Sequence, residues 1–247
     1  KNYDTQHVGT GKTVTVSGLS IASAINSTAK VYGYSLNSTN ISDNIGEITP
    51  ASLFISTADV TKQYDGTTTA LGAAEVVETT LYGTDSVSGG TFIFDNKNVG
   101  TNKTVTISNV TVNDGNGGAN YNVSYDSLNR LNSITAAPLI ISTSDISKQY
   151  DATTTALGSP IAVSGSLFDT DSLSGGSFVY ADKNVGAGNK AVQVSGITVN
   201  DGNSGANYAV TYQNNTSSTI TAAPLLISGL TGTSKIYDAT TSLDLNG

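Results

Sequence analysis

The sequence contains no Cys, no Met and no Trp, and His7 is its single histidine. Without cysteine there is no disulfide framework, no thiolate nucleophile and no zinc–thiolate site. One histidine cannot build a multi-histidine metal site, and any general acid–base chemistry would fall to carboxylates or lysines. The missing initiator Met suggests a mature or excised segment, with any export signal upstream or already removed. No stretch approaches the roughly 18 apolar residues that cross a bilayer, so no membrane insertion is expected. Charge is scarce at 12% of residues, about half the usual share of a soluble domain. With 11 Lys+Arg against 19 Asp+Glu the chain carries a net charge of −8, which repels nucleic acid and anionic lipid as partners.

Thr, Ser, Asn and Gly supply the polar surface instead. These are poor helix formers, and Thr favours strands. Hydrophobic residues at 37% allow a core, but a thin one. Cysteine avoidance suits a chain exported unfolded through an oxidising compartment. A cytosolic β-protein that happens to lack Cys is the alternative.

Self-similarity dominates the sequence. The run Lys62-Gln63-Tyr64-Asp65-Gly66-Thr67-Thr68 returns as Lys148-Gln149-Tyr150-Asp151-Ala152-Thr153-Thr154, and again as Lys235-Ile236-Tyr237-Asp238-Ala239-Thr240-Thr241. The tyrosine recurs after 86 and then 87 residues. Lys97-Asn98-Val99-Gly100 matches Lys183-Asn184-Val185-Gly186, and TVNDGNGGANY from Thr111 matches TVNDGNSGANY from Thr198. ITAAPL closes a copy at Ile134 and at Ile220. His7-Val8-Gly9 falls in register with Asn98-Val99-Gly100. The chain therefore divides into the back half of a module (1–50), two complete modules (51–137 and 138–223) and the opening of another (224–247). Modules of this length can fold alone, and both ends cutting through a module suggests a longer parent protein.

Alternation of apolar and polar residues marks the strands: Val105 and Ile107 in one copy, Val192 and Val194 in the next, with Tyr121, Val123 and Tyr125 on one face. Six or seven short strands per module predict an all-β fold of tandem, small antiparallel β-sandwich modules, Ig-like, with a β-grasp-like fold as the alternative. The segment 70–80 is ambiguous and could hold a short helix. Each junction passes through Ala-Ala-Pro, at Pro138 and Pro224, so one module's last strand should end there and the next begin within a residue or two. Short junctions of this kind predict limited hinge freedom and an elongated, monomeric rod.

The Lys-x-Tyr-Asp-Gly/Ala-Thr-Thr opening, the Lys-Asn-Val-Gly centre, the Ala-Asn-Tyr strand and the Ile-Thr-x-x-Pro close resemble the YDG-type and related MBG-type repeats. Those repeats occur in large bacterial surface proteins, including haemagglutinin-like adhesins exported by two-partner secretion. The resemblance implies a secreted or cell-surface array, a role as stalk or spacer in adhesion, and contact with host-cell or biofilm components through the parent protein. It implies no reaction. The alternative function is that the repeats themselves bind glycans or matrix by many weak contacts.

Four groups of residues are candidates for more than structure. Tyr64, Tyr150 and Tyr237 with Asp65, Asp151 and Asp238 could form a repeated ligand patch, or a core tyrosine at a corner whose Asp bonds local backbone. Asp114 and Asn116, repeated as Asp201 and Asn203, have spacing reminiscent of a calcium loop but lack the distal Glu, and Asp-Gly and Asn-Gly are also hairpin-turn pairs. Calcium is thus the one cofactor raised. The recurring lysines (Lys62/Lys148, Lys97/Lys183, Lys12/Lys103/Lys190) could pair with Asp, cover apolar edges, or form an amide crosslink to Asn or Asp if buried beside one. His7 stands where other copies hold Asn and is expected to be solvated. Ala152 and Ala239 replace Gly66, which suggests that a positive φ is not needed there. No Gly-x-Ser-x-Gly with a histidine partner occurs, so no enzyme activity is expected.

Overall fold

Alternating β-branched and aromatic residues between Gly- and Asn-rich turns leave the chain little but strands to form. A computed structural model describes all residues except 24, 27, 31, 127–130, 230, 231, 233 and 243–247, and no side chain of 25, 26 or 29. The described residues contain nineteen strands and no helix. The chain separates into two units, 1–136 and 137–247.

In the first unit, β1 (Asn2–Tyr3), β2 (Gly9–Val16) and β5 (Ile41–Ile48) form one antiparallel sheet, and β3 (Ile25–Asn26) pairs with β4 (Ala29–Lys30). A seven-strand module follows: β6 (Ala51–Thr57), β7 (Thr61–Gln63), β8 (Ala74–Val76), β9 (Ser86–Phe94), β10 (Val105–Asn113), β11 (Tyr121–Tyr125) and β12 (Ser133–Thr135). The second unit repeats it as β13 (Ala137–Thr143), β14 (Ser147–Gln149), β15 (Pro160–Ser164), β16 (Ser172–Tyr180), β17 (Gly186–Asn200), β18 (Tyr208–Tyr212) and β19 (Asn215–Thr221). There the seven strands form two sheets, ordered β15-β13-β18 and β14-β19-β17-β16.

The modules are not purely antiparallel. The opening strand pairs in parallel with the sixth, β6 with β11 and β13 with β18. The second pairs in parallel with the last, β7 with β12 and β14 with β19. Parallel pairs need long connections, and here most of the module lies between the partners. Each module is thereby closed by its own two ends. The segment 70–80 holds the short strand β8 rather than a helix, and Ala74 faces the same core as Val76.

Leu53 and Ile55 of β6, fully buried, pack with Val112 of β10 and Tyr121 of β11. Phe92, Phe94, Val105 and Ile107 are buried from β9 and β10, and Phe178, Tyr180, Val192 and Val194 from β16 and β17. These are the residues whose alternation defines the strands in the sequence. β12 ends at Thr135 and β13 begins at Ala137, so a single residue separates one module's last strand from the next module's first.

Candidate functional site

The Lys-x-Tyr-Asp-x-Thr motif builds a corner that closes on itself. Lys62 Nζ donates to Asp65 Oδ1 at 2.7 Å, to the Thr67 carbonyl at 2.8 Å and to Thr67 Oγ1 at 3.0 Å. Asp65 Oδ1 in turn accepts from the Thr67 N–H and hydroxyl. Lys148, Asp151 and Thr153 repeat these contacts, with Lys148 Nζ 5.5 Å from the Tyr180 ring centre. So do Lys235, Asp238 and Thr240 in the opening of the last module, where no strand accompanies them among the described residues. The corner is therefore local, set by six residues. The Lys148 ammonium, with the Thr153 N–H and hydroxyl, holds the Asp151 carboxyl down at about 2.

The residue after the Asp does take positive φ: 77° at Gly66, 63° at Ala152 and 60° at Ala239. The alanines do not remove the left-handed turn; the Asp–Thr and Lys–Thr bonds on either side hold them in it. The tyrosines differ between copies. In the first complete module Tyr64 is 1% exposed, so its ring offers no surface to a ligand, while Tyr150 is 37% exposed.

The Asp-Gly-Asn loop is a turn, but not a hairpin: it carries the chain from β10, which pairs with β9, to β11, which pairs with β6. Asp114 Oδ1 accepts the N–H groups of Asn116 and Gly118 at 2.8 and 2.7 Å, and Oδ2 that of Asn120 at 2.9 Å. Asp201 receives Asn203, Gly205 and Asn207 in the same way, at 2.7, 2.8 and 2.9 Å. Burial alone would raise both carboxyls, and the three N–H groups more than offset it, so both titrate below the ordinary range. Asn116 and Asn203 turn their Nδ2 donors toward Asn120 and Asn207. This donor set does not fit calcium, since a cation at Asp114 or Asp201 would meet N–H groups where it needs oxygens. Among the described residues no three His, Cys, Asp or Glu side chains are grouped to hold a metal.

The loop instead presents Asn120. Its Oδ1 accepts the Val8 N–H at 3.0 Å, its carbonyl accepts the Ala51 N–H at 3.0 Å, and its Nδ2 lies 3.0 Å from His7 Nδ1. His7 is thus half-buried and bonded, not solvated. Asn120 joins the half module to the complete module that follows it.

Lys12, Lys103 and Lys190 are buried. Lys103 Nζ lies 2.7 Å from Asn96 Oδ1 and 3.0 Å from Asp95 Oδ1, while Lys190 Nζ pairs with Asp182 and Lys12 Nζ lies 3.8 Å from Asp4. The carboxylate moves by one position between copies: where Asp95-Asn96 becomes Ala181-Asp182, the pair is kept. Each of the three thus has an Asp neighbour, and Lys103 an Asn neighbour as well.

One further cluster is less conspicuous in the sequence. Tyr121 donates its hydroxyl to Asp85 Oδ2 at 2.7 Å and accepts the Tyr82 N–H at 2.8 Å, and the Tyr82 ring stacks on it at 6.5 Å. Tyr208, Asp171 and Phe168 repeat this arrangement. The signal is there in Leu81-Tyr82-Gly83-Thr84-Asp85 against Leu167-Phe168-Asp169-Thr170-Asp171, masked by the Tyr/Phe and Gly/Asp exchanges.

The YDG domain family matches this chain twice, over residues 49–128 and 135–217, about two thirds of its length. The chain belongs to that family. No curated protein and no solved structure matches it.

Proposed function

We propose that this chain is a run of spacer modules from a bacterial extracellular adhesin, holding a binding region of its parent protein away from the cell surface. The parallel closure of each module is the observation that carries this reading. β6 and β7 are separated by three residues, do not pair with each other, and are each joined in parallel by a late strand. The chain thus leaves along β12 in the direction of β7. A semi-rigid rod is the arrangement that a spacer reading expects of modules joined by such short connections. The local Lys–Asp–Thr corners, the buried lysine pairs and the caged Asp114 and Asp201 spend the polar residues on holding the modules together, as a spacer requires. Secretion suits the absence of cysteine.

Small-angle scattering on chains of one, two and three consecutive modules tests the reading. The 13 residues from Ala51 to Gln63 span about 40 Å if extended, so the maximum dimension should grow by about that amount with each module. A dimension that levels off after two modules would show a folded-back arrangement and defeat the spacer.

A further inference from the structure

We propose that the cleft between residues 6–8 and the Tyr82–Asp85 turn binds neutral sugar chains. The cleft measures about 490 Å³ and is lined by Gln6, Val8, Thr49, Tyr82, Asp85 and Tyr121, among others. That volume is within the range of small-molecule sites. Two of its lining residues are aromatic and tied to each other. Tyr82 is 64% exposed, while Tyr121 stacks behind it and ties down both ends of its turn through the Tyr82 N–H and the Asp85 carboxylate. An exposed aromatic face held from behind is what the C–H face of a pyranose stacks on, with little ordering left to do on binding.

The polar groups around that aromatic face suit hydroxyl ligands. Tyr121 occupies one oxygen of Asp85. Asp85 itself lines the cleft, together with Gln6, Thr49 and Thr84. Carboxylate, amide and hydroxyl together offer acceptors and donors to vicinal sugar hydroxyls. The carboxylate also selects. Asp85 stands in a chain of net charge −8, so sugars bearing carboxylates or sulfates are repelled and neutral ones admitted. The site is composite: Gln6 and Val8 come from the half module, Tyr82 and Asp85 from the complete one, and the Asn120–Val8 bond holds them together. It therefore forms where the half module meets the complete module that follows it. The tyrosines of the Lys-x-Tyr-Asp motif play no part, since Tyr64 is buried.

The test is an NMR titration of the full chain with neutral trisaccharides of glucose, galactose, mannose and N-acetylglucosamine, and with trigalacturonate as the acidic probe. At least one neutral trisaccharide should shift the amides of Gln6 and Tyr82–Asp85 in a saturable way at millimolar concentration, while trigalacturonate does not. Tyr82→Ala should weaken binding about tenfold or more, Tyr82→Phe should retain most of it, and Gln6→Ala should weaken it, all with unchanged melting temperature. Both tyrosine and glutamine side chains are exposed, so these variants should fold. The proposal is overturned if no neutral trisaccharide shifts these amides, if trigalacturonate binds equally well, or if Tyr82→Ala binds as the parent does. All the residues involved lie in the first unit, so the cleft would bind sugar whether or not the modules act as spacers.

Discussion

Ala152 and Ala239 adopt φ near 60°, a region that costs a residue with a Cβ about 1–2 kcal/mol. Gly66 takes the same conformation freely at the matching position. Ala152→Gly should therefore stabilise the second unit by about 1 kcal/mol, and Gly66→Ala should destabilise the first by a similar amount. Urea titration measures both. The turn was legible in the sequence as an Asp-x-Thr signal, but its backbone angle was not. The exchange of Gly for Ala reports which residue is tolerated, not which φ it takes. The neighbouring carboxylate gives a second outcome. The Asp151 carboxyl lies at about 2, below its ordinary 3.8, so it is ionised in the folded chain at pH values where the unfolded chain has already bound a proton. Its contribution to stability is complete above about pH 4 and is lost as the pH falls through about 2. Asp65, Asp114, Asp201 and Asp238 are lowered for related reasons and add to the same loss. Melting temperature should hold from neutral pH to about 4 and drop steeply below. Asp201→Ala should lose about 3 kcal/mol at neutral pH, because it strands three N–H groups in a buried loop. A loss under 1 kcal/mol would mean that water replaces the carboxylate there.

At the scale of strands, alternation located the buried strands of each module such as β10, β11 and β17, because burial on one face dictates a period of two, and it missed the short ones such as β7, β8 and β12. It could not give direction. A buried strand such as Leu139-Ile140-Ile141 reads the same whether its neighbour runs with it or against it, so the parallel pairs β6–β11 and β13–β18 were beyond the sequence. The short Lys190 pairing was half legible: the lysine recurs, but its partner shifts by one residue. Lys103 is held from the turn after β9 by Asp95, and Lys190 from the turn after β16 by Asp182. Turn and strand are thus fastened together by a buried ammonium that needs one carboxylate from either of two positions. Asp182→Asn should lower the urea midpoint of the second unit, since it leaves the charge of Lys190 buried without a counterion. Ala181→Asp added to Asp182→Asn recreates the arrangement of the preceding copy and should restore the midpoint. If the double variant stays as weak as the single one, the two turns hold their lysines differently, and the copies are not interchangeable.

For the molecule as a whole, the repeats announce the modules and their lengths, but not what joins them. The loop from Asp114 to Asn120 looks in sequence like a cation loop or a hairpin, and in space it is a joint. The caged carboxylate fixes six residues so that Asn120 can grip Val8 and Ala51 from two directions. The distinction turns on which groups point inward, N–H or C=O, and that lies below the resolution of residue type. The consequence is measurable. Asn120→Ala removes the acceptor for the Val8 N–H while leaving the Ala51 bond, which uses the carbonyl. A typical hydrogen bond of about 1 kcal/mol corresponds to about a fivefold change in opening equilibrium. In amide exchange, Val8 should lose about fivefold protection, and Leu53 and Ile55, deep in the module, should be unaffected if residues 1–50 open as a separate unit. Equal loss at Val8 and at the core would show that the half module and the complete module unfold together, with Asn120 supporting the fold of both. His7→Asn, which restores the residue of the other copies, should leave Val8 protected in either case, because the bond from Val8 to Asn120 does not pass through the ring.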